Sequence, residues 1–205
     1  MGATARELET ETEEVSYEDF LRRSDEDEPA EWVAGKVLLM SPASRRHQRV
    51  SLFLAQLMSI HVEKHGLGEV IEAPFQMKTA YSGREPDILF VASANLARLG
   101  STYLNGPADL VVEIASPESR LRDRGAKFAE YEMAGVREYW LIDPDLQRAD
   151  FYQLGEGGRF ATVATDAEGR YHSRELPGFW IEVAWLWSEP LPGVLPTLAR
   201  LGLLA

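Results

Sequence analysis

The sequence predicts a mixed α/β fold in which a central β-sheet is flanked by helices. Three observations predict it: an amphipathic helix over His47–Lys64, short apolar strands on both sides of it, and a second helix over Arg122–Ala134 between two such strands. Interspersed helices and strands of this kind pack as layers around one core. A length of 205 residues suits a single domain that can bury a sizeable core.

The helices are indicated by their apolar period and by signals at their ends. Apolar residues recur every three or four positions from Val50 to Ile60, after the breaking and capping stretch 41–44 and before Gly66. The second helix shows the same period and stops at Gly135. A short helix is predicted after Ser16, because Asp19 follows it at capping-box spacing.

The strands are indicated by short apolar runs between turn residues. They are predicted at Glu31–Met40 (a hairpin around Gly35), Glu69–Met77, Pro86–Val91, Asp109–Ala115, Glu138–Asp143 and Arg148–Leu154. Turn signals predict further hairpins within residues 146–184. We therefore expect an acidic disordered leader over residues 1–14, one domain over 15–187, and a C-terminal strap over 188–205 that packs on the body or on a partner chain.

Composition excludes several classes of protein. There is no cysteine, which rules out disulfides, thiolate metal sites and cysteine nucleophiles and suits a cytoplasmic protein. No apolar run approaches the length of a membrane span, and the acidic N-terminus is unlike a signal peptide. The net charge of −12 opposes an extended DNA-coating surface, but it does not oppose a small metal-dependent site that acts on phosphates.

Three charged residues stand where a core would favour apolar ones. Asp87 enters the strand Pro86–Val91, Glu113 lies inside an apolar strand, and Lys127 lies on the helix that follows it. A carboxylate in an apolar strand needs a partner or a metal ion. Two such carboxylates on adjacent strands suit Mg²⁺ or Mn²⁺, and a nearby lysine can stabilise a phosphate or an attacking water.

These residues sit within a broader pattern. The motif comprises Pro86-Asp87, Glu113 to Pro117, Asp123 to Lys127, Tyr131 and Gly135 to Trp140, with Glu31 to Gly35, Ser41-Pro42 and His47 upstream. In this pattern the chain resembles the Uma-two family of bacterial nucleases, which is placed in the PD-(D/E)xK restriction-endonuclease-like superfamily. The resemblance covers residues 15–155 and extends toward 187.

The resemblance implies a restriction-endonuclease-like sheet with a metal site at one edge. It implies that Asp87 and Glu113 bind Mg²⁺ or Mn²⁺, with the carbonyl of Ile114 as a third ligand. The sequence departs from the superfamily motif at Ala115, where the motif has lysine. The resemblance implies that Lys127 takes over that role, on one helix face with Asp123 and Tyr131.

Several further residues keep two interpretations each. Glu31 is either an additional site carboxylate or a surface hairpin residue. His47 either orients the site or only caps a helix, Tyr131 is either a site residue or core packing, and Lys127 itself could be a solvated helix lysine. The predicted phosphate-binding residues are Arg45, Arg46, Arg122 and Arg124.

Two functions follow as hypotheses. The first is a metal-dependent DNA endonuclease that uses Asp87, Glu113 and Lys127. The second is a non-catalytic binding or regulatory module on the same fold. A homodimer is expected with either, because a double-strand cut needs two sites and the apolar strap needs to be buried.

Overall fold

The computed structural model describes residues 14–23 and 30–204, so the predicted leader lies outside it apart from Glu14. Five α-helices are described: α1 Tyr17–Arg23, α2 Arg45–His65, α3 Arg120–Arg122, α4 Phe128–Ala134 and α5 Val194–Arg200. Thirteen strands are described: β1 Ala30–Val33, β2 Lys36–Leu39, β3 Gly68–Glu72, β4 Gln76–Lys78, β5 Ser82–Arg84, β6 Ile88–Ala92, β7 Tyr103–Asn105, β8 Leu110–Ile114, β9 Glu138–Asp143, β10 Arg148–Leu154, β11 Phe160–Thr162, β12 Arg170–His172 and β13 Trp180–Glu182. None of the described helices is long and apolar enough to cross a membrane.

The central sheet has six strands in the order β11-β10-β9-β8-β6-β3. Strands β8 and β9 are parallel, and the other neighbours are antiparallel. The helical stretch between β8 and β9 supplies the crossover that a parallel pair requires. A mixed sheet with helices on both faces confirms the predicted fold class.

A second sheet of five strands packs beside the central one, in the order β2-β1-β5-β4-β7. The prediction of one continuous strand over Glu69–Met77 is wrong, because this segment forms two strands, β3 in the central sheet and β4 in the second sheet. The chain changes sheets at Pro74, which has no amide hydrogen to continue a strand ladder. Strands β5 and β7 were not predicted, since each has three residues and pairs with distant segments.

Both faces of the central sheet are buried. One face packs against α2 through residues such as Phe90, Val112 and Trp140. The other packs against α4 and the second sheet through residues such as Val111 and Tyr139. Since side chains alternate along a strand, Glu113 faces the same side as Val111, toward α4 and the second sheet.

The helix predicted from Arg122 begins at Arg120 and contains a π-helical turn, Asp123–Lys127, that joins α3 to α4. Such turns widen a helix by one residue and are frequent at functional sites. The helix ends at Gly135, whose φ of 89° is left-handed, as glycine permits.

The C-terminal segment packs on the body of the same chain. Helix α5 contacts α2, and Leu198 and Leu203 join the core beneath α2. Lys64 also donates a hydrogen bond of 2.8 Å to the carbonyl of Gly202. The burial of these leucines within one chain weakens the reason for expecting the strap to cover a partner.

The N-cap of helix α2 is Ser44, and it bonds the backbone of the predicted site residue His47. The side chain of Ser44 accepts a 3.1 Å hydrogen bond from the backbone N–H of His47. We expect Ser44→Ala to lower the free energy of unfolding by about 1 kcal/mol, since an unpaired N–H is left in the first turn. Urea unfolding measures it. Ser41→Ala, at an exposed position outside the helix, is the control, and an equal loss in both variants would contradict the assignment.

Candidate active site

The register of β6 and β8 brings the two strand carboxylates together. Ile88 pairs with Val112, so Asp87, which immediately precedes β6 rather than lying inside it, falls beside Glu113. The Oδ2 atom of Asp87 accepts a 2.6 Å hydrogen bond from the backbone N–H of Ile114. This contact fixes Asp87 at the end of β8.

Lys127 reaches Glu113 from the π-helical turn. Its Nζ atom lies 2.9 Å from both carboxylate oxygens of Glu113. The ammonium group is 2 % exposed, so the interpretation of Lys127 as a solvated helix lysine is wrong. Burial opposes its charged form, but the carboxylates of Glu113 and Glu31 hold its pKa above the ordinary value.

Glu31 on β1 is the second partner of Lys127. Its Oε1 atom lies 3.0 Å from Nζ of Lys127, and its Oε2 atom accepts a 2.8 Å hydrogen bond from Arg84 on β5. Glu31 is fully buried, so its interpretation as a surface hairpin residue is wrong. Burial opposes its ionisation, yet the charges of Lys127 and Arg84 prevail and lower its pKa to about 2.

His47 pairs with the other carboxylate. Its Nε2 atom lies 3.1 Å from Oδ1 of Asp87. Burial disfavours the imidazolium, but the hydrogen bond and charge of Asp87 outweigh it and raise the pKa of His47. His47 and Asp87 are partly exposed, unlike the buried Lys127, so the site opens to solvent on their side.

Tyr131 is both a core residue and a neighbour of the site carboxylate Glu113. It is fully buried in the core that contains Val111, and its hydroxyl donates a 2.5 Å hydrogen bond to Oε1 of Glu113. Burial and the charge of Glu113 raise its pKa well above the ordinary value, so it remains a hydrogen-bond donor.

Two residues at the site were not assigned a role from the sequence. Arg84 is buried and joins Glu31 to Glu130 on α4, donating bonds of 2.8 and 2.6 Å to the latter. Asp123 is buried one turn before Lys127, with its Oδ1 atom 3.7 Å from Nζ. The only sequence signal was the shared helix face of Asp123 and Lys127, since Arg84 lies in a strand that was not predicted.

The four arginines expected at phosphate separate into two groups. Arg46 pairs with Glu189 and bonds the carbonyls of Leu186 and Ser188, and Arg124 pairs with Asp150 at 2.6 Å. Arg45 and Arg122 have no ion pair with any residue that the structure describes. The charge of Arg122 lowers the pKa of both Glu31 and Asp123, which locates it near the site.

The site therefore holds four acidic side chains around one buried ammonium group and one histidine. These are Glu31, Asp87, Glu113 and Asp123. Burial raises the pKa of Glu113 to about 8, and the charges of Asp123, Asp87 and Glu31 add to the shift while Lys127 opposes it. Within residues 14–23 and 30–204, no three His, Asp or Glu side chains are already arranged to hold a metal ion, and Lys127 and His47 contact Glu113 and Asp87 instead.

The mixed sheet flanked by helices is the restriction-endonuclease-like fold that the resemblance implied. The chain belongs to the Uma2 family, whose model, described as "Putative restriction endonuclease", matches residues 17–184.

Individual proteins show the same relationship. The chain is 23% identical over 146 residues to one uncharacterized protein of Synechocystis sp., covering 69% of this chain and 82% of that protein. It is 24% identical over 166 residues to a second, covering 79% and 86%. It is similar in fold to the crystal structure of "a putative nuclease belonging to DUF820" from Anabaena variabilis, with a TM-score of 0.71, 16% identity and coverage of 83% of this chain and 96% of that one.

We expect the free energy of unfolding of the metal-free protein to decrease as pH rises from about 5 to about 9. The folded state raises the pKa of Glu113 from 4.5 to about 8 and so binds this proton more tightly than the unfolded state. The stabilisation from protonation is therefore complete at the acid end and is lost as pH rises through the folded-state pKa. Urea unfolding at several pH values measures it.

Glu113→Gln is the matched variant for this pH dependence. It removes the contribution of Glu113 and leaves that of His47, whose raised pKa acts in the same direction. A shallower decrease is expected in the variant. Identical slopes in wild type and Glu113→Gln would show that Glu113 does not titrate in this range.

Proposed function

We propose that this protein is a metal-dependent endonuclease that hydrolyses phosphodiester bonds in DNA. The observation that carries the proposal is the contact of Lys127 Nζ with both oxygens of Glu113 at 2.9 Å, beside Asp87 at the end of the neighbouring strand. Two carboxylates can hold a divalent metal ion and a lysine can stabilise developing negative charge, which suits metal-assisted phosphodiester hydrolysis. Membership of the Uma2 family supports the same conclusion.

The residues present fit a divalent metal ion. The donors are carboxylate and carbonyl oxygens, which Mg²⁺ and Mn²⁺ prefer. The buried Oδ1 atom of Asp123 has no hydrogen-bond donor among the described residues, so it can accept a cation. In this proposal Asp87, Glu113 and the carbonyl of Ile114 hold the ion, which neutralises charge on the phosphate and activates water.

The chain's own residues supply the remaining steps. Lys127 hydrogen-bonds the attacking water and stabilises charge as the water oxygen bonds to phosphorus and the P–O bond to the leaving oxygen breaks. The proton that the water loses passes to solvent, and the leaving oxygen takes up a proton from solvent, so the products are an alcohol and a phosphomonoester. Tyr131 holds the carboxylate of Glu113, and Glu31, anchored by Arg84, holds Lys127. His47 positions Asp87 at the open side of the site.

Of the four arginines predicted to bind phosphate, we propose Arg45 and Arg122, since Arg46 and Arg124 are already paired with Glu189 and Asp150. Arg45 is the first residue of α2, where the N–H groups and dipole of a helix favour an anion. Arg122 has a buried Nε atom without a hydrogen-bond partner in the described part of the chain. We also propose a homodimer, because cutting both strands of a DNA duplex requires two active sites.

The cleavage assay uses supercoiled plasmid and a titration of Mn²⁺ or Mg²⁺. Wild-type protein is expected to nick or linearise the plasmid, and EDTA is expected to stop it. Asp87→Asn, Glu113→Gln and Lys127→Ala are expected to lower the rate by about 10²-fold or more, because each removes a group at the reacting phosphate. Gel densitometry over time measures the rates.

Lys36→Ala is the matched control, since Lys36 is exposed on β2 away from the site. It is expected to cleave at the wild-type rate. Circular dichroism establishes that each variant is folded. If folded wild-type protein leaves the plasmid intact at every metal concentration, the alternative of a non-catalytic binding module replaces the proposal.

The arginine contacts are tested by DNA binding in the Glu113→Gln background, where cleavage is absent. Arg122→Gln is expected to weaken binding several-fold and to lower the slope of log K against log salt by about one, because one phosphate contact is lost. Fluorescence anisotropy at several salt concentrations measures both. Arg124→Gln, two residues along the same helical stretch and already paired with Asp150, is expected to change little. Equal effects of the two substitutions would contradict a specific contact by Arg122.

A further inference from the structure

Asp123 is a buried acid whose role the proposed function leaves open. It is the first residue of the π-helical turn and is 1 % exposed. It lies on the helix face that carries Lys127 and Tyr131, both of which contact Glu113. Its carboxylate is therefore directed into the site rather than toward solvent.

The two carboxylate oxygens of Asp123 differ in their surroundings. Oδ2 accepts a 2.5 Å hydrogen bond from the hydroxyl of Ser119. Oδ1 is buried and has no hydrogen bond within the described residues, and its distance of 3.7 Å from Lys127 Nζ exceeds a hydrogen bond. By comparison, both oxygens of Glu113 and of Glu31 are hydrogen-bonded. A buried acceptor without a donor is costly, so Oδ1 is available for a ligand.

The charges around Asp123 favour a cation as that ligand. Burial raises its pKa, and the negative charge of Asp87 adds to the shift, while Lys127, the Ser119 hydroxyl and Arg122 oppose it. In return, the charge of Asp123 raises the pKa of Glu113 and of His47. Asp123 is therefore within electrostatic range of both carboxylates that we propose as metal ligands, and an additional positive charge between them would stabilise all three.

We propose that Asp123 is a further ligand of the divalent-cation site and binds the ion through Oδ1. The inference rests on the proposed function, because it adds a carboxylate to the site formed by Asp87 and Glu113. Ser119 fixes the carboxylate by holding the opposite oxygen, as residues behind metal ligands commonly do. Hard oxygen donors of this kind select Mg²⁺ or Mn²⁺ over softer ions.

The test is Mn²⁺ binding by the full-length chain, measured by isothermal titration calorimetry after removal of metal with EDTA. Asp123→Asn keeps the size of the side chain and an oxygen that accepts from Ser119, but it removes the charge. We expect it to weaken Mn²⁺ binding about 10–100-fold. Asp109→Asn is the matched control: Asp109 is equally buried but precedes β8 at the end of the strand opposite Glu113, where it bonds Asn95 and the N–H of Ala92.

Thermal melting distinguishes a ligand from a residue that is merely structural. In EDTA we expect Asp123→Asn to melt no lower than wild type, because it removes one charge from a group of buried like charges. In Mn²⁺ we expect a smaller rise in Tm than wild type shows. A structural role would lower the Tm in EDTA and leave the rise unchanged, which would overturn the inference.

The remaining outcomes separate this inference from the proposed function. If Glu113→Gln abolishes Mn²⁺ binding while Asp123→Asn binds as tightly as wild type, only the inference is overturned. It is also overturned if Asp109→Asn weakens binding as much as Asp123→Asn does. If wild-type protein binds no Mn²⁺, or if Glu113→Gln binds it normally, the proposed metal site fails and the assignment of Asp123 fails with it.

Discussion

The rest of the site depends on the contacts that the buried ammonium group of Lys127 makes with Glu113 and Glu31. This group joins a helix to the central sheet through Glu113 and to the second sheet through Glu31. Removing these charges from water is costly, and the cost is offset because oxygens of Glu113 and Glu31 lie 2.9 and 3.0 Å from the ammonium nitrogen. Losing one member of such a buried pair typically costs about 3–5 kcal/mol. The layers and the candidate catalytic groups are therefore held by the same contacts.

This arrangement explains how four acidic groups can share one interior without a metal ion. Lys127 and Arg84 compensate the charge of Glu31, His47 pairs with Asp87 at the open side, and the raised pKa of Glu113 lets that group carry a proton. The same contacts oppose metal binding, since an ion at Glu113 competes with the ammonium group for the same oxygens. A catalytic ion must therefore supply more stabilisation than Lys127 gives up, which a doubly charged cation among several carboxylates can do.

Much of the fold was predictable because its signals are local. The apolar period predicted helix α2, and short apolar runs between turn residues predicted strands β8 to β10. Gly135 predicted the end of the helix before β9. Of the second sheet only the β1–β2 hairpin around Gly35 was predicted, because each of its other strands has three residues and pairs with a distant segment. Glu113 stood out as a charge inside an apolar strand, whereas Arg84 and Asp123 lie among other charged residues. Only the tertiary structure shows that these two are buried.

The position where the superfamily motif has lysine is part of the core in this protein. Ala115 is buried there with Val136 and Leu141, on the face of the sheet that also carries Glu113. The π-helical turn allows the same charge to reach Glu113 from the opposite layer, four residues after Asp123. Because the turn carries both residues, the position of the lysine and that of the additional carboxylate are set by one local distortion of the helix. Asp123, Lys127 and Tyr131 follow one another at a spacing of four residues, so a lysine on the helix meets Glu113 together with the tyrosine hydroxyl and beside the additional carboxylate.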